Sequence, residues 1–293
     1  MMPMFRSVLF VPVTVPHFVA KAATVGADVA CLDLEDAVPW QEKGEARATA
    51  PGAIESISKA CSVWVRVNGL ATGLLDDDLK SIVRPGLGAV MLPKAESVED
   101  VQGLDAALDR LERERGIDLG TIGIVPLIET AAGVLRAEVI CGASKRVVAA
   151  AFGSEDFRLQ LGVPASTEAL RYPRAHLAIV CAAAGVAAID TVDPQFHDEE
   201  RNEREMLAVR DLGFAGKLCI HPSQVAIANR VFAPGEAEIA EARRIVETFE
   251  REGLAKGRAA IAIEGKMVDT PHYERARRLL EWADRVERDE YKR

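Results

Sequence analysis

The stretch that decides the fold runs from Val63-Trp64-Val65-Arg66-Val67-Asn68, through the segment Leu74–Val83, to Ala89-Val90-Met91-Leu92-Pro93-Lys94. A short β-branched run, a segment of helical period and a second apolar run make one strand-helix-strand unit. Both runs are apolar almost throughout, the pattern of parallel strands covered on both faces.

Outward from that unit the same rhythm fills the chain to about residue 231. The further strand candidates are Ser7–Val11, Val29–Leu34, Gly123–Ile128, Val147–Phe152, Ala187–Val192 and Lys217–Ile220, so that eight are expected in all. Segments of crossover length lie between them, such as Val98–Arg115, Thr167–Ala184 and Glu203–Leu212. Eight strands with eight crossovers fit a closed (β/α)₈ barrel better than an open doubly wound sheet, which would have fewer strands and a Gly-rich first turn. The expected division is a barrel over residues 1–231 and a C-terminal helical extension over 232–293. In the extension a charged helix starts after Pro234-Gly235 and runs to about Glu252, followed by a strand-like Ala259–Ile263 and a last helix after Pro271. It is too short for an independent core and is expected to pack on the barrel mouth or on an adjacent subunit.

Bulk composition sets the boundaries. The 293 residues are 49% hydrophobic and 28% charged, ordinary for a globular α/β chain, and can bury a large core. The net charge of −9 comes from interleaved acids and bases, which disfavours generic nucleic-acid binding while leaving room for a local basic pocket. The five cysteines form no C-x-x-C pair, and several lie inside apolar runs, as buried reduced thiols do. The longest apolar run, Leu177–Ile189, is shorter than the roughly 18 residues of a spanning helix. With no secretory pattern at the N-terminus, a cytoplasmic protein without membrane partners is expected.

Barrel enzymes place their reactive groups at the C-terminal ends of strands. Here those ends are polar: Asp33-Leu34-Glu35-Asp36, Arg66-Val67-Asn68, Pro93-Lys94, Glu129-Thr130, Ser154-Glu155-Asp156, Asp190-Thr191-Val192-Asp193 and His221-Pro222. Glu129 and Asp156 follow neighbouring strands about 4.8 Å apart, so their carboxylates can converge on one ion. Two carboxylates without His or thiolate suit a hard cation, Mg²⁺ or Mn²⁺, rather than zinc. Either acid alone could equally be a helix N-terminal carboxylate; their succession favours the metal. Arg66 suits bidentate capture of a carboxylate, or a structural ion pair with Glu35 or Asp36, and the roles can coexist. Strand alternation sends inward either Trp64, Arg66 and Asn68 or the valines between them. His221, fixed in extended backbone by Pro222, reads alone as a structural residue. Asp269, before Thr270-Pro271, reads as part of a helix start with Thr270 as N-cap. No H-E-x-x-H, G-x-S-x-G, P-loop or G-x-G-x-x-G occurs, so zinc hydrolysis, serine-triad and dinucleotide chemistry lack support.

Taken in order, these motifs resemble the citrate lyase β-subunit family of CoA-dependent lyases, within the HpcH/HpaI aldolase/citrate lyase superfamily, which includes malyl-CoA and citramalyl-CoA lyases. Its carriers are Leu9-Phe10-Val11-Pro12, Leu32–Val38, Val65–Asn68, Leu92–Lys94, Leu127–Ala131, Phe152–Phe157, Ala188–Val192, Gly213–Lys217, Ile220-His221-Pro222 and Gly265–Asp269. Where relatives commonly carry Gly after Phe-Val-Pro, this chain has Val13-Thr14-Val15-Pro16. The resemblance implies that Glu129 and Asp156 hold Mg²⁺ and that Arg66 orients the 2-oxo acid or substrate carboxylate, with Glu35 and Asp36 behind it. It implies that Phe10, His17, Lys21, Ile220 and His221 touch the CoA thioester arm or substrate, CoA being part of the substrate. It implies that Asp269 is the acid/base residue, reaching into an adjacent subunit of a homotrimer or a multiple of one. The reaction so implied is cleavage, or Claisen-type formation, of a small 3-hydroxyacyl-CoA such as malyl-CoA or citramalyl-CoA, giving acetyl-CoA and glyoxylate or pyruvate. A malyl-CoA thioesterase, a β-type subunit acting inside a citrate lyase complex and a CoA-independent aldolase are the alternatives, the tail after Pro234 speaking against the last.

Overall fold

A computed structural model describes residues 5–164 and 168–290. The chain divides into two compact units, Met1–Phe232 and Ala233–Arg293. In the first, eight parallel strands close into a barrel: β1 (Ser7–Pro12), β2 (Val29–Asp33), β3 (Ser62–Arg66), β4 (Leu87–Leu92), β5 (Gly123–Ile128), β6 (Ala149–Phe152), β7 (Ala187–Asp190) and β8 (Gly216–Cys219). Closure comes from the pairing of β1 with β8, with Val8 opposite Leu218 and Leu9 opposite Cys219. The crossovers are α1 (Pro16–Ala22), α2 (Lys43–Ile57), α3 (Leu75–Ile82), α4 (Val98–Glu114), the short pair α5 (Ala131–Leu135) and α6 (Ala137–Cys141), then α7 (Ser154–Leu161) with α8 (Arg171–Ala184), α9 (Glu199–Asp211) and α10 (Pro222–Val231).

This is the (β/α)₈ barrel expected from the rhythm of apolar runs. The boundaries moved where side chains cap helix ends. Helix α9 starts four residues earlier than Glu203 because the Asp198 carboxylate accepts the Arg201 N–H at 2.9 Å, satisfying a donor at the helix start. A complete capping box of Ser97 and Asp100 fixes the start of α4 where the periodicity placed it. The expected start of α8 at Thr167 lies outside the described residues.

Strand alternation builds two apolar layers. Val63, Val65 and Val67 point outward into the layer between strands and helices, whereas Trp64 points into the lumen with Val29, Cys31, Met91, Val125 and Leu127. Trp64 is 1% exposed, and Phe5 meets it edge-on at 4.7 Å to close the floor of the barrel. Of the three residues that alternation could send inward, Trp64 and Arg66 do so, while Asn68 turns aside and donates to the Asp78 carboxylate at 2.7 Å.

The second unit consists of α11 (Glu236–Glu252), the antiparallel hairpin β9 (Ala260–Ile263) and β10 (Lys266–Asp269), and α12 (Thr270–Glu290). Glu264 and Gly265 both take positive φ, the geometry of a tight primed hairpin turn, and this turn supplies the strand β10 that apolar runs alone did not announce. Phe249, Ile263, Val268 and Tyr273 form a small buried cluster within this unit, the two rings stacked at 5.1 Å. No described helix is long and apolar enough to cross a membrane.

Candidate active site

One pleat beyond the apolar lumen, the inward positions of successive strands change character. The residue two beyond Val8 is Phe10, beyond Cys31 is Asp33, beyond Trp64 is Arg66, and beyond Leu127 is Glu129; Gly153, Thr191 and Ile220 follow Ala151, Ile189 and Leu218 in the same way. All seven line one cavity of about 420 Å³ at the C-terminal ends of the strands, together with Asp36 and Asp156. The period of two thus carries the chain in a single step from an apolar plug to a mouth where Asp33, Arg66, Glu129 and Thr191 stand among apolar neighbours.

Arg66 is the hub of its near side. Its Nε donates to Asp33 Oδ1 at 2.9 Å and its Nη2 to Asp33 Oδ2 at 2.5 Å, a bidentate pair across adjoining strands. Nη1 lies 3.3 Å from both Glu35 and Asp36, and the guanidinium stands 4.7 Å over the Phe10 ring. The loop carrying Glu35 and Asp36 is tied down from α2, where the buried Lys43 ammonium donates to the carbonyls of Leu34 and Glu35 at 2.6 Å each.

Across the cavity, Glu129 is 3% exposed and its Oε1 accepts the Lys94 backbone N–H at 2.9 Å. Lys94 delivers that N–H from the left-handed region, φ 50°, rare for a residue with a side chain. Gly153 is needed opposite: a Cβ there would lie 2.6 Å from both Cβ and Oε2 of Glu129. Asp156 lies in the first turn of α7, one-third exposed, with Lys94 Nζ at 3.8 Å from it and 3.6 Å from Glu35. The start of α7 is tied to the residue just past β7 by the Ser154 N–H donating to Thr191 Oγ1 at 3.0 Å.

Too few cations face these acids. Burial, then the neighbouring charges of Glu35 and Asp156, push the Glu129 carboxyl up to about 8. Burial pushes Glu35 up to about 7 against the opposing pull of Arg66 and Lys94, with the charges of Asp36 and Asp33 adding to the rise. Glu35 Oε2 is buried and accepts no hydrogen bond. Among the described residues no three His, Cys, Asp or Glu side chains converge as a metal cluster, so the two-carboxylate reading of Glu129 and Asp156 is not extended by a third side chain.

A second hollow of about 190 Å³ adjoins this cavity, sharing Phe10, Pro12 and Ile220 and adding Lys21, Phe18 and His221. His221 caps α10, with Nδ1 2.9 Å from Ser223 Oγ and its ring stacked on Phe196 at 4.6 Å. His17 lies on the exposed side of α1 against the Phe18 ring and lines neither space. Asp269 belongs to the second unit, where it precedes α12 and accepts from the His272 ring and, at 3.4 Å, from the His272 N–H. Asp269 therefore takes the capping position that the sequence suggested for Thr270, and its bond to the His272 side chain holds its pKa below the usual carboxylate value. Sequence reasoning missed two contributors: Asp33 as the principal partner of Arg66, and the Lys94 backbone as the donor to Glu129. The first could have been found by counting two residues on from the lumen-facing Cys31; the second had no signal in the sequence.

Fold and site together define a (β/α)₈ barrel enzyme with an acid-lined, arginine-bearing pocket at the mouth. The chain belongs to the HpcH/HpaI aldolase/citrate lyase family, whose model matches residues 6–222. It is 36% identical over 283 residues to the citrate lyase subunit beta of Leuconostoc mesenteroides subsp. cremoris, covering 95% of this chain and 93% of that one. It is 31% identical over 295 residues to the mitochondrial citramalyl-CoA lyase of Homo sapiens, with 96% and 86% covered. Among solved structures, CitE of Mycobacterium tuberculosis in complex with magnesium, acetoacetate and coenzyme A superposes with a TM-score of 0.77 at 31% identity, over 95% of this chain and 97% of that one.

Proposed function

We propose that this chain is a magnesium-dependent carbon–carbon lyase that splits, or forms by condensation, a small 3-hydroxyacyl-CoA such as citramalyl-CoA or malyl-CoA, exchanging it for acetyl-CoA and pyruvate or glyoxylate. The observation that carries the proposal is the meeting of Glu129, Asp156 and Arg66 in one cavity that opens onto the hollow lined by Phe10, Lys21, Ile220 and His221.

The donor set fits a hard divalent cation. Glu129 and Asp156 offer only oxygen, and a cation completed by water and substrate oxygens needs no third side chain. The raised pKa values of Glu129 and Glu35 mark a carboxylate cluster short of positive charge. When bound, Mg²⁺ supplies Lewis-acid stabilisation of negative charge on the oxygens of the hydroxyl and carboxylate next to the breaking bond. Asp33 fixes the plane of the Arg66 guanidinium through Nε and Nη2, and its Nη1, which stands 3.3 Å from Glu35 and Asp36, is assigned to the carboxylate of the 2-oxo acid. That fixed charge is in place before the reaction begins. The apolar wall of Phe10, Leu127 and Leu218 excludes water beside the acyl carbon.

Asp269 is assigned the proton transfer, from a second copy of the chain in a homotrimer or a multiple of it. In the condensation direction it takes a methyl proton from acetyl-CoA. Insertion at a neighbouring barrel mouth would remove water from its carboxylate and raise its pKa, opposite to the lowering that His272 gives it in the single chain. Asp269→Asn is expected to abolish turnover while leaving cation affinity intact, measured by single-turnover assay and by calorimetry; near-normal turnover would remove Asp269 from the mechanism. A cytoplasmic location is part of the same reading.

The strong likeness to citrate lyase β subunits supports a second reading, in which the acyl group is carried by a partner protein. One assay decides: the purified chain is given malyl-CoA and citramalyl-CoA, with Mg²⁺ and with chelator. Acetyl-CoA with a 2-oxo acid, formed only with the metal, is the expected result. Free CoA in place of acetyl-CoA identifies a thioesterase, and no turnover by the chain alone favours the subunit.

A further inference from the structure

Lys94 is placed unlike any other side chain at the mouth. Its ammonium stands between two acids from different strand ends, 3.6 Å from Glu35 and 3.8 Å from Asp156, too far for tight ion pairs. Four carboxylates act on it, those of Glu35, Glu129, Asp156 and Asp36, while Arg66, which touches Glu35 and Asp36, spends its bidentate pairing on Asp33. The side chain is 46% exposed, so the ammonium can swing into solvent without opening a cavity. Its backbone holds φ 50°, a conformation that is unfavourable for a side-chain-bearing residue and that glycine would adopt freely. The bond from its N–H to Glu129 asks nothing of the side chain.

We propose that the Lys94 ammonium is a resident competitor of the divalent cation: it screens Asp156 and Glu35 before the metal binds, and must be displaced from them as the metal arrives. This rests on the reading of Glu129 and Asp156 as the metal ligands. The side chain thus sets how tightly the site holds its cation, while the backbone of the same residue positions a ligand. A lysine that merely braced the site would do the reverse, since its loss would loosen the carboxylates and weaken metal binding.

The test uses the full chain stripped with chelator and titrated with Mn²⁺, followed by electron paramagnetic resonance of the free ion and by calorimetry. Lys94→Gln keeps the backbone donor and removes the charge; Coulombic repulsion of a like charge a few ångströms away predicts Mn²⁺ binding roughly 3- to 10-fold tighter than in the wild type. Lys94→Arg retains the charge and is expected to bind Mn²⁺ as the wild type does. Equal or weaker binding by Lys94→Gln, or equal tightening in Lys94→Arg, overturns the competitor role. If the wild type itself binds no Mn²⁺, the metal reading fails instead, and the two failures are told apart by that one titration.

Discussion

Two arginines sit among carboxylates at opposite faces of the barrel. At the N-terminal face Arg146, just before β6, donates to Asp105, Asp109, Glu112 and the Ile122 carbonyl, and all five of its donor positions are used. Glu112 in turn accepts the N–H groups of Gly120 and Ile122 at 2.9 Å. Burial alone would raise the Glu112 pKa; the bonds from Arg146 and these two amides outweigh it and hold the carboxyl below its usual value. At the C-terminal face Arg66 is just as well seated on Asp33, yet Glu35 and Glu129 stand at about 7 and 8. The residue types are the same and only the compensation differs. A cluster whose charges are all answered fixes loops; a cluster left short of positive charge is prepared to receive it from outside.

The largest effect that would test this contrast is in Glu129→Gln. On the metal role proposed for Glu129, its loss is expected to lower kcat/KM by about 10³-fold, a barrier increase of about 4 kcal/mol. Thermal stability should stay level or rise, because a neutral amide replaces a buried carboxylate that burial disfavours. Glu112→Gln should behave inversely. Breaking a buried, fully bonded pair costs about 3 kcal/mol, seen as a fall in Tm of roughly 6–12 °C, with turnover per folded molecule unchanged. If calorimetry shows both variants destabilised alike, the two clusters are not different in kind. Gly153→Ala comes next. Its methyl would press on Glu129 at 2.6 Å, and a loss of about 10- to 100-fold in activity with an unaltered circular dichroism spectrum is expected.

Much of this was readable from residue order, and what was not has a physical reason. The alternation of apolar runs with helical segments is a local property, so the closed barrel and the acids at its mouth followed from it. Which face of β3 turns inward depends on the helices packed outside, and Val63-Trp64-Val65-Arg66 alone left two answers. Arg66 was matched to Glu35 and Asp36 because they adjoin the loop; Asp33, the stronger partner, is set by the register that places it beside Arg66 across the β2–β3 ladder. The left-handed backbone of Lys94 has no sequence signal, since lysine rarely adopts it. Strand β10 was hidden because Lys266-Met267-Val268-Asp269 buries only Val268 fully and depends on the turn at Glu264-Gly265 for its pairing. Asp269 shows a different limit: its local surroundings explain it fully as a helix cap, and the role proposed for it depends on another copy of the chain.

The smallest effect sharpens the comparison most, because the two clusters should bend the pH profile of stability in opposite directions. Glu112 has a lowered folded-state pKa, so its contribution is in place above the ordinary value of 4.5 and is lost as pH falls through the lowered one. Glu129 and Glu35 have raised pKa values, so the unfolded chain releases their protons near 4.5 while the folded chain keeps them until about 7 to 8. Stability of the metal-free protein should therefore decline as pH rises across that window. The measurement is Tm from pH 3 to 9 in chelator for the wild type, Glu112→Gln and Glu129→Gln. Glu129→Gln should flatten the decline above pH 5 by on the order of 1 kcal/mol, and Glu112→Gln should flatten only the acid side. Addition of Mg²⁺ should restore the wild type on the alkaline side and do little for Glu129→Gln. A wild-type profile that is level between pH 5 and 8 without metal would mean that the mouth is already as well compensated as the floor, and the distinction between the two arginines would be lost.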